Sequence, residues 1–406
     1  MKPPAGSKIL KLKDIDAAGS RAIKERGVAT FHAVGCTGDF KDHRPGLLVA
    51  NAMAAQISSP RAKGGNPAAV EASFLLHLGD VVYKQEDPSG PEGKDQAMMY
   101  NSQFYAQFAN YGREIFAIAG NHDGKTSIHN KKSAIVHFLQ NFCDSKRQRS
   151  PDNQTEQSKR LTMIQPYPYW VLETAVCYFV CLYTNDLNAG QLDDPMGTDQ
   201  PQYQWLIETL KGIKAAADGK VIFLVLHYPP YSGAANFAER GDPNLGPTPR
   251  RPPPAGILLP LGNILQQAFH QSGQFPDVVL SAHVHSYQRI TYTYAGGWQV
   301  PYLVAGSGGH GPIEKISTTC AGESISMPSV PFDIAVPPGL ALPKGDSVDV
   351  VFCNDNDFGF LRVTVDKNQK IVIGEFFAVQ NQPSPGASVA VLRDSFTLRL
   401  DKHTID

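Results

Sequence analysis

Five short apolar segments, each followed at once by glycine or polar side chains, constrain the fold of this chain more than any other feature. They span residues 29–35, 73–78, 114–119, 221–226 and 277–281. Apolar runs of this length, bounded by turn residues, are typical of strands buried on both faces. The sequence therefore predicts a sheet whose strand ends deliver polar side chains to a common edge.

Residues with helical spacing lie between several of these strands. The three apolar faces are Ile135, Phe138, Leu139 and Phe142; Leu206, Ile207, Leu210 and Ile213; and Ile264, Leu265, Ala268 and Phe269. Asp199 as an N-cap and Pro201 in the first turn predict where the second helix begins. Alternating buried strands and helices predict an α/β fold with helices on the sheet faces. In such sheets ligands gather at the carboxyl ends of the strands.

The polar motifs are spread along most of the chain, which predicts a single domain over residues 29–406. Residues 1–28 are polar and mixed in charge, so we expect a loosely attached N-terminal arm. Two stretches rich in Gly and Pro, at about 231–262 and 306–347, predict long loops that form functional walls or lids, or are disordered. Strand-like patterning returns at residues 358–365 and 396–400.

Composition argues against several classes of partner. The formal net charge is −1 and the sequence pI is near 6.9. This balance provides no general attraction for a polyanion, so we expect neither nucleic acid nor a membrane surface as a partner. No stretch reaches the roughly 18 apolar residues of a membrane-spanning helix. Residues 1–13 lack the apolar core of a secretory signal, so the cytoplasm is favoured and the compartment is otherwise open.

The cysteines give little evidence of a disulfide framework. They lie at positions 36, 143, 177, 181, 320 and 353. Cys177 and Cys181 fall within an apolar stretch and are interpreted as small core residues of a buried strand. A disulfide between Cys143 and another loop cysteine is the alternative.

Residues able to bind metal follow the apolar segments. Asp80, Asn121 and His227 each come directly after one segment, and His283 and His285 follow the last. Two cations held a few Å apart need one shared anionic oxygen and separate imidazole or amide ligands. A single histidine or Gly-Asp pair would more often be structural. The whole set in this order predicts a site for one or two metal ions, with Asp80 as the shared ligand.

These motifs resemble those of the calcineurin-like metallophosphoesterase superfamily, and within it the purple acid phosphatase branch. Residues 80–83 are similar to that branch's Asp-x-x-Tyr, and residues 283–289 to its His-x-His-x-Tyr-x-Arg. The segment His227-Tyr228-Pro229-Pro230-Tyr231-Ser232 also fits. The resemblance covers roughly residues 29–310. It implies a four-layer sandwich of two packed mixed β-sheets flanked by helices.

The resemblance also implies roles for individual residues. One ion would be bound by Asp80, Asn121, His227 and His283, and the other by Asp80, Tyr83, His285 and the residue at position 36. The ions would be zinc, iron or manganese. His122 would be the proton donor or transition-state stabiliser, with Asp123 holding its imidazole in one tautomer. Tyr83 could instead pack against a neighbouring wall.

The reaction implied by the resemblance is hydrolysis of a phosphomonoester by metal-bound hydroxide, as in an acid phosphatase. The substrate would be a phosphorylated small molecule or a phosphoprotein. Two alternatives stay open. The protein could be a phosphodiesterase, or it could be a metal-binding relative with impaired catalysis, because Cys36 stands where the family has aspartate.

Three hypotheses account for Cys36. Its thiolate could bind the second ion, which would favour zinc or ferrous iron. The second position could instead be weakly held or empty. Lastly, Asp39 or His32 could replace the missing carboxylate. His32 and His77 lie inside strands and are expected to be core histidines, whereas His310, in a glycine-rich loop, could contact phosphate.

Overall fold

The computed structural model describes residues 7–58, 71–83, 94–124, 135–184, 201–234, 261–316, 345–381 and 388–406. The strands in chain order are β1 (Ile9–Lys11), β2 (Val28–Val34), β3 (Phe74–His77), β4 (Glu114–Ala117), β5 (Trp170–Glu173), β6 (Cys177–Cys181), β7 (Val221–Val225), β8 (Val278–Ser281), β9 (Tyr287–Thr293), β10 (Gln299–Ala305), β11 (Ser347–Asn354), β12 (Gly359–Asp366), β13 (Ile371–Asn381), β14 (Ser388–Arg399) and β15 (Thr404–Ile405). The helices are α1 (Leu12–Ile15), α2 (Ala17–Arg26), α3 (Arg44–Ser58), α4 (Lys94–Met99), α5 (Asn121–Gly124), α6 (Val136–Phe142), α7 (Pro201–Ala216) and α8 (Leu261–Ser272), with a π-helical segment at Tyr100–Ala106.

Within these residues the strands form two mixed sheets. The first has the order β1-β5-β6-β7-β8-β10-β9-β11, and the second has the order β15-β14-β13-β12-β2-β3-β4. Strands β2, β3 and β4 run parallel to one another, as do β6, β7 and β8. The five predicted strands are therefore confirmed, and they divide between the two sheets.

The two sheets pack face to face through a core of aromatic rings. Phe31 of β2 lies edge-on to Phe179 of β6 and Phe223 of β7, with ring centroids 4.9 and 5.3 Å apart. Phe31 also stacks on Phe74 of β3 at 5.4 Å. All four rings are fully buried. Such aromatic contacts add to the free energy that hydrophobic burial supplies between the sheets.

Helices cover the outer faces of both sheets. Leu206 and Leu210 of α7 and Leu265 and Phe269 of α8 are buried in a second core against the first sheet. Helix α3 contacts β12, β13 and β14 of the second sheet. The helices predicted from apolar spacing are confirmed as α6, α7 and α8. The arrangement is the expected one, two mixed sheets flanked by helices. The N-cap predicted at Asp199 lies outside the described residues.

The N-terminal segment differs from the expected loose arm over residues 1–28. Strand β1 pairs in parallel with β5, and Leu10 and Leu12 are buried. Helix α2 begins with its Asp16 cap, whose carboxylate accepts from the Gly19 amide, and buries Ile23. The prediction of a loose arm was therefore wrong for residues 9–26. The segment that pairs with the sheet is too short to show a periodic apolar pattern in the sequence. The single domain over residues 29–406 stays a prediction.

Most of the two predicted long loops lies outside the described residues, which stop at residues 234 and 316 and resume at 261 and 345. Within the described residues no helix is long and apolar enough to cross a bilayer.

The cysteines only partly match expectation. Cys177 and Cys181 are buried in β6, as predicted. Cys143, the cysteine considered for a disulfide, has a free thiol. Cys353 in β11 is disulfide-bonded instead.

Asp277, just before β8, makes the stability of this fold depend on pH. Its carboxylate accepts from the Ile222 amide at 2.7 Å and lies 3.3 Å from Nε2 of His403. Burial raises the pKa of Asp277 to about 7, whereas an unfolded aspartate has a pKa near 3.9. Between about pH 4 and 7 the folded state therefore holds a proton that the unfolded state has lost, and the free energy of unfolding falls as pH rises.

The Asp277→Asn variant is expected to remove that fall, because the amide oxygen still accepts from Ile222 and carries no charge. Its free energy of unfolding should exceed that of the wild type by about 2–4 kcal/mol near pH 8 and by much less near pH 5. Urea unfolding at the two pH values measures this. An equal effect at both would contradict the assigned pKa.

Candidate metal centre

The candidate site is built from loops that leave the carboxyl ends of five strands in both sheets. Cys36 follows β2, Asp80 follows β3 and Asn121 follows β4. His227 follows β7, and His283 follows β8. Backbone hydrogen bonds join neighbouring loops within each sheet; the Cys36 amide donates to the Gly79 carbonyl, and the Ala282 amide donates to the His227 carbonyl. The side chains are therefore held on a hydrogen-bonded frame.

Backbone strain is concentrated at this edge. Cys36, Asp80 and His283 have φ angles of 56°, 53° and 65°. Residues other than glycine rarely adopt this left-handed region, which costs on the order of 1–3 kcal/mol each and is characteristic of functional sites. Gly79 and Gly120 let the loops approach each other. A Cβ at Gly79 would lie 2.5 Å from Nδ1 of His227, and one at Gly120 would lie 2.1 Å from Oδ1 of Asp80.

The first set of donor atoms converges as a metal site requires. Nε2 of His227 lies 3.2 Å from Oδ2 of Asp80 and 3.1 Å from Oδ1 of Asn121. Nδ1 of His283 lies 3.0 Å from the same Asn121 oxygen. Neighbouring ligands of an ion bound at about 2.1 Å lie about 3.0–3.4 Å apart. These contacts therefore fit the edges of a coordination polyhedron, and the donor set suits a divalent cation.

Electrostatics at this set favour a positive charge. Nδ1 of His227 donates to the Leu78 carbonyl at 2.8 Å, which turns Nε2 toward the site. Burial alone would lower the pKa of His227, but the Asp80 carboxylate, the hydrogen bond to Leu78 and the charge of Asp123 together more than offset this, and the pKa is raised. Burial would likewise raise the pKa of Asp80, yet His227, His122 and His283 hold it well below its usual value. An environment that favours a proton on His227 also favours a metal cation there.

A second set of donor atoms also contacts Asp80. The Tyr83 hydroxyl donates to Oδ2 of Asp80 at 3.0 Å and lies 3.1 Å from Nε2 of His285. Ligand atoms of Cys36, Asp80 and His227 all lie within 4.8 Å of one another. The Cys36 thiol also hydrogen-bonds with Tyr83. Asp80 thus stands between two donor sets, as a shared ligand would.

The thiol and the phenol at this second set are neutral in the absence of metal. Burial and the charge of Asp80 raise the pKa of Cys36 well above its usual value. Burial, Asp80 and Cys36 do the same for the pKa of Tyr83. A metal ion bound here would have to displace those protons, so binding would be linked to pH.

His122 and Asp123 lie beside the donors in α5. The His122 amide donates to Oδ1 of Asp80 at 2.8 Å, and its ring lies 4.3 Å from that of Tyr83. The buried Asp123 carboxylate accepts from the amides of Gly120 and Val81 at 2.8 and 3.1 Å. It therefore ties the Asp80 loop to the Asn121 loop, a role that the sequence did not indicate. Its expected action on the His122 imidazole stays a prediction.

The model of the calcineurin-like phosphoesterase family matches residues 30–287, more than half of the chain. The chain belongs to the calcineurin-like phosphoesterase family. A solved structure described as GAP50, the anchor in the inner membrane complex of Plasmodium, is similar with 12% identity over 90% of this chain and 89% of that chain, at a TM-score of 0.47. No curated protein sequence matches the chain.

Membership in the calcineurin-like phosphoesterase family points to metal-dependent hydrolysis of phosphoester bonds. The Cys/Asp/His cluster is consistent with this activity. The structure brings together every residue proposed as a ligand. They are Cys36, Asp80, Tyr83, Asn121, His227, His283 and His285. Their action as ligands, and that of His122 as a proton donor, stays a prediction.

Two residues considered as replacements for the missing carboxylate are engaged elsewhere. Asp39 accepts from the amides of Lys41 and Gly311 and lies 3.3 Å from His310. His32 contacts the Tyr111 hydroxyl at 3.0 Å. These contacts engage both side chains with other partners, and the hypothesis that either one takes the place of the carboxylate stays a prediction. His32 is a hydrogen-bonded core histidine, as expected.

The same is true of His77, whose Nε2 lies 2.8 Å from the Thr37 hydroxyl. His310 was expected at most as a phosphate contact. It stacks on Tyr83 with ring centroids 3.5 Å apart and an interplanar angle of 6°. Its ring also lies 4.8 Å from that of His285. The signal in the sequence was a histidine within Gly308-Gly309-His310-Gly311, but the stacking partner could not be predicted.

Proposed function

We propose that this calcineurin-like phosphoesterase hydrolyses phosphomonoesters, as members of the purple acid phosphatase branch do. The observation that supports this most is the convergence of Asp80, Asn121, His227 and His283, which three donor-atom contacts of 3.0–3.2 Å join in a chain. One or two ions of zinc, iron or manganese would be held there, and the substrate would be a phosphorylated small molecule or a phosphoprotein. When bound, such ions lower the pKa of a water molecule and offset charge on phosphoryl oxygens.

The protein's own groups have separate tasks in this proposal. Asp80 holds the two donor sets together and, through Oδ1, fixes the backbone of His122. The His122 side chain is partly exposed, and its imidazole would give a proton to the leaving oxygen. His310 and Tyr83 stack into a rigid wall beside the second donor set. That wall would limit the approach of water and of bulky esters.

Hydrolysis of para-nitrophenyl phosphate and of bis(para-nitrophenyl) phosphate tests the proposal. Full-length protein supplied with zinc, manganese or iron is expected to turn over the monoester with the larger kcat/KM. A preference for the bis ester would make the protein a phosphodiesterase. Binding of metal without turnover of either ester would support the second candidate, a metal-binding relative with impaired catalysis. The cysteine at position 36, where the family that this chain resembles has aspartate, favours that candidate.

Replacing His122 with alanine is expected to lower kcat by about 10²–10⁴-fold, the range of a positioned general acid. The metal content should not change, since alanine retains the backbone amide that donates to Asp80 and His122 is not among the proposed ligands. The matched control is His270→Ala, at an exposed position of α8. Unchanged turnover in the His122 variant would remove this residue from the mechanism.

We also propose that the protein resides in an oxidising compartment. The sequence favoured the cytoplasm, but the disulfide of Cys353 is of a kind that persists outside it. Thiol titration of the unfolded protein tests this, and the number of free thiols is expected to be higher after reduction than as purified. Equal numbers before and after reduction would support the cytoplasm instead.

A further inference from the structure

A cleft of about 540 Å³ lies at the end of the second sheet opposite to the metal centre. Three segments form it: the α1–α2 junction, the turn before β4, and part of the irregular stretch between α6 and β5. Glu114 lines the cleft at the start of β4, whereas Asn121 follows the end of that strand. At about 3.3 Å per residue, the two sites are roughly 20 Å apart. The cleft is therefore not part of the substrate site.

The lining of the cleft carries an excess of positive charge. Its charged residues are Arg113, Arg147, Lys159, Arg160, Asp16 and Glu114, four cations and two anions. Arg147 pairs with Glu114 at 2.7 Å. Arg113 pairs with Glu71 at 2.6 Å, although both side chains of that pair are well exposed. A cleft whose walls carry a net charge concentrates the electric field and attracts ligands of the opposite charge.

Arg160 is not paired with a carboxylate. Its guanidinium donates to the carbonyls of Arg113, Tyr111 and Phe108 at 2.9, 2.6 and 3.3 Å. In the part of the chain that the structure describes, no carboxylate lies within 4.0 Å of it, and its Nε has no hydrogen-bond partner. Burial lowers the pKa of Arg160 only to about 10, so the group is charged at neutral pH. The side chain is partly exposed, and its nearest compensating charge is the more distant Glu114, so it can attract an anion.

Two further donors beside Arg160 are also unsatisfied. Among the described residues, Nε of Arg147 and Oγ of Ser158 are buried without a hydrogen-bond partner. Both residues line the same cleft. These three atoms have almost no accessible surface, so a ligand in the cleft would meet other atoms of the partly exposed Arg147 and Arg160 side chains. Two guanidinium groups suit the oxygens of a phosphate.

The rest of the lining is apolar. Ile15, Phe108 and Leu161 line the cleft, and Leu161 is 42% exposed. The volume is within the range of small-molecule sites, and apolar walls with a few convergent polar groups are typical of such sites. Inorganic phosphate alone would leave these walls uncovered.

We propose that this cleft binds a small organic phosphate, with the phosphate held by Arg160 and Arg147 and the organic part against Ile15 and Leu161. The net charge of the lining matches a dianion. The site is independent of the metal centre, so the proposal does not rest on the proposed hydrolytic function.

Calorimetric titration of the full-length Asp80→Asn variant with phenyl phosphate tests the proposal, because loss of Asp80 removes phosphate binding at the metal centre. Saturable binding is expected, within about twofold of the affinity that the wild type shows at this site. Inorganic phosphate should bind more weakly and phenol not at all. Adding Arg160→Met should weaken the binding of phenyl phosphate by about tenfold or more. Adding Arg160→Lys instead keeps the charge and should weaken this binding less.

The control for charge is Arg399→Met, at an exposed ion pair with Asp406 outside the cleft. An equal loss of affinity in that variant would show non-specific attraction and overturn the proposal. Absence of saturable binding to the Asp80→Asn protein would also overturn it. If Arg160→Met does not fold, as judged by circular dichroism, Arg147→Met decides by the same criterion.

Discussion

Replacing Asp80 with asparagine is expected to remove most bound metal and to lower kcat/KM for a phosphomonoester by on the order of 10³-fold or more. Oδ2 of Asp80 lies between His227 at 3.2 Å and Tyr83 at 3.0 Å, so both donor sets depend on it. Asparagine keeps the shape and can still accept from the His122 amide. The variant therefore removes the negative charge with little change in the loop.

Elemental analysis of metal per chain and turnover of para-nitrophenyl phosphate measure the two effects together. Asp277→Asn is the matched control, because it makes the same substitution at a mostly buried carboxylate outside the donor sets. Metal content should not change in that variant. If Asp80→Asn retained both full metal content and full activity, the donor sets described here would not be the active centre.

Replacing Cys36 with aspartate is expected to shift the metal preference away from zinc and toward manganese or iron by about tenfold or more. The Cys36 sulfur lies within 4.8 Å of ligand atoms of Asp80 and His227. A thiolate is a soft ligand, whereas a carboxylate oxygen is a hard one. Position 36 has a φ of 56°, a conformation that aspartate adopts more readily than most residues, so the variant should fold.

The ratio of activity with manganese to activity with zinc, measured for both proteins, gives this preference directly. Cys36→Ser is the control of similar size, and it should lower the occupancy of the second ion with no gain for manganese. An unchanged ratio in Cys36→Asp would show that residue 36 is not a ligand. A large rise in activity with every metal would instead identify the natural site as an impaired one.

Much of the fold could be predicted because it is recorded in local periodicity. The apolar runs that became β2, β3, β4, β7 and β8, and the apolar faces that became α6, α7 and α8, are properties of neighbouring residues. Strand β1 was missed because three residues are too few to show a period, and it is stable only through pairing with β5. The division of the five strands between two sheets could not be predicted from the sequence either, since it depends on which sheet faces pack together.

The order of the candidate ligands could be read from the chain, because Asp80, Asn121, His227, His283 and His285 each follow a predicted strand, and ligands gather at strand ends. What surrounds these candidate ligands is a property of the tertiary structure. It brings His310 onto Tyr83, engages Asp39 with the Gly311 amide, sets Asp123 beneath two loops, and gathers Arg147, Ser158 and Arg160 at the opposite end. These contacts join residues far apart in the chain, and their energies depend on how sheets and loops dock, which local patterns do not encode.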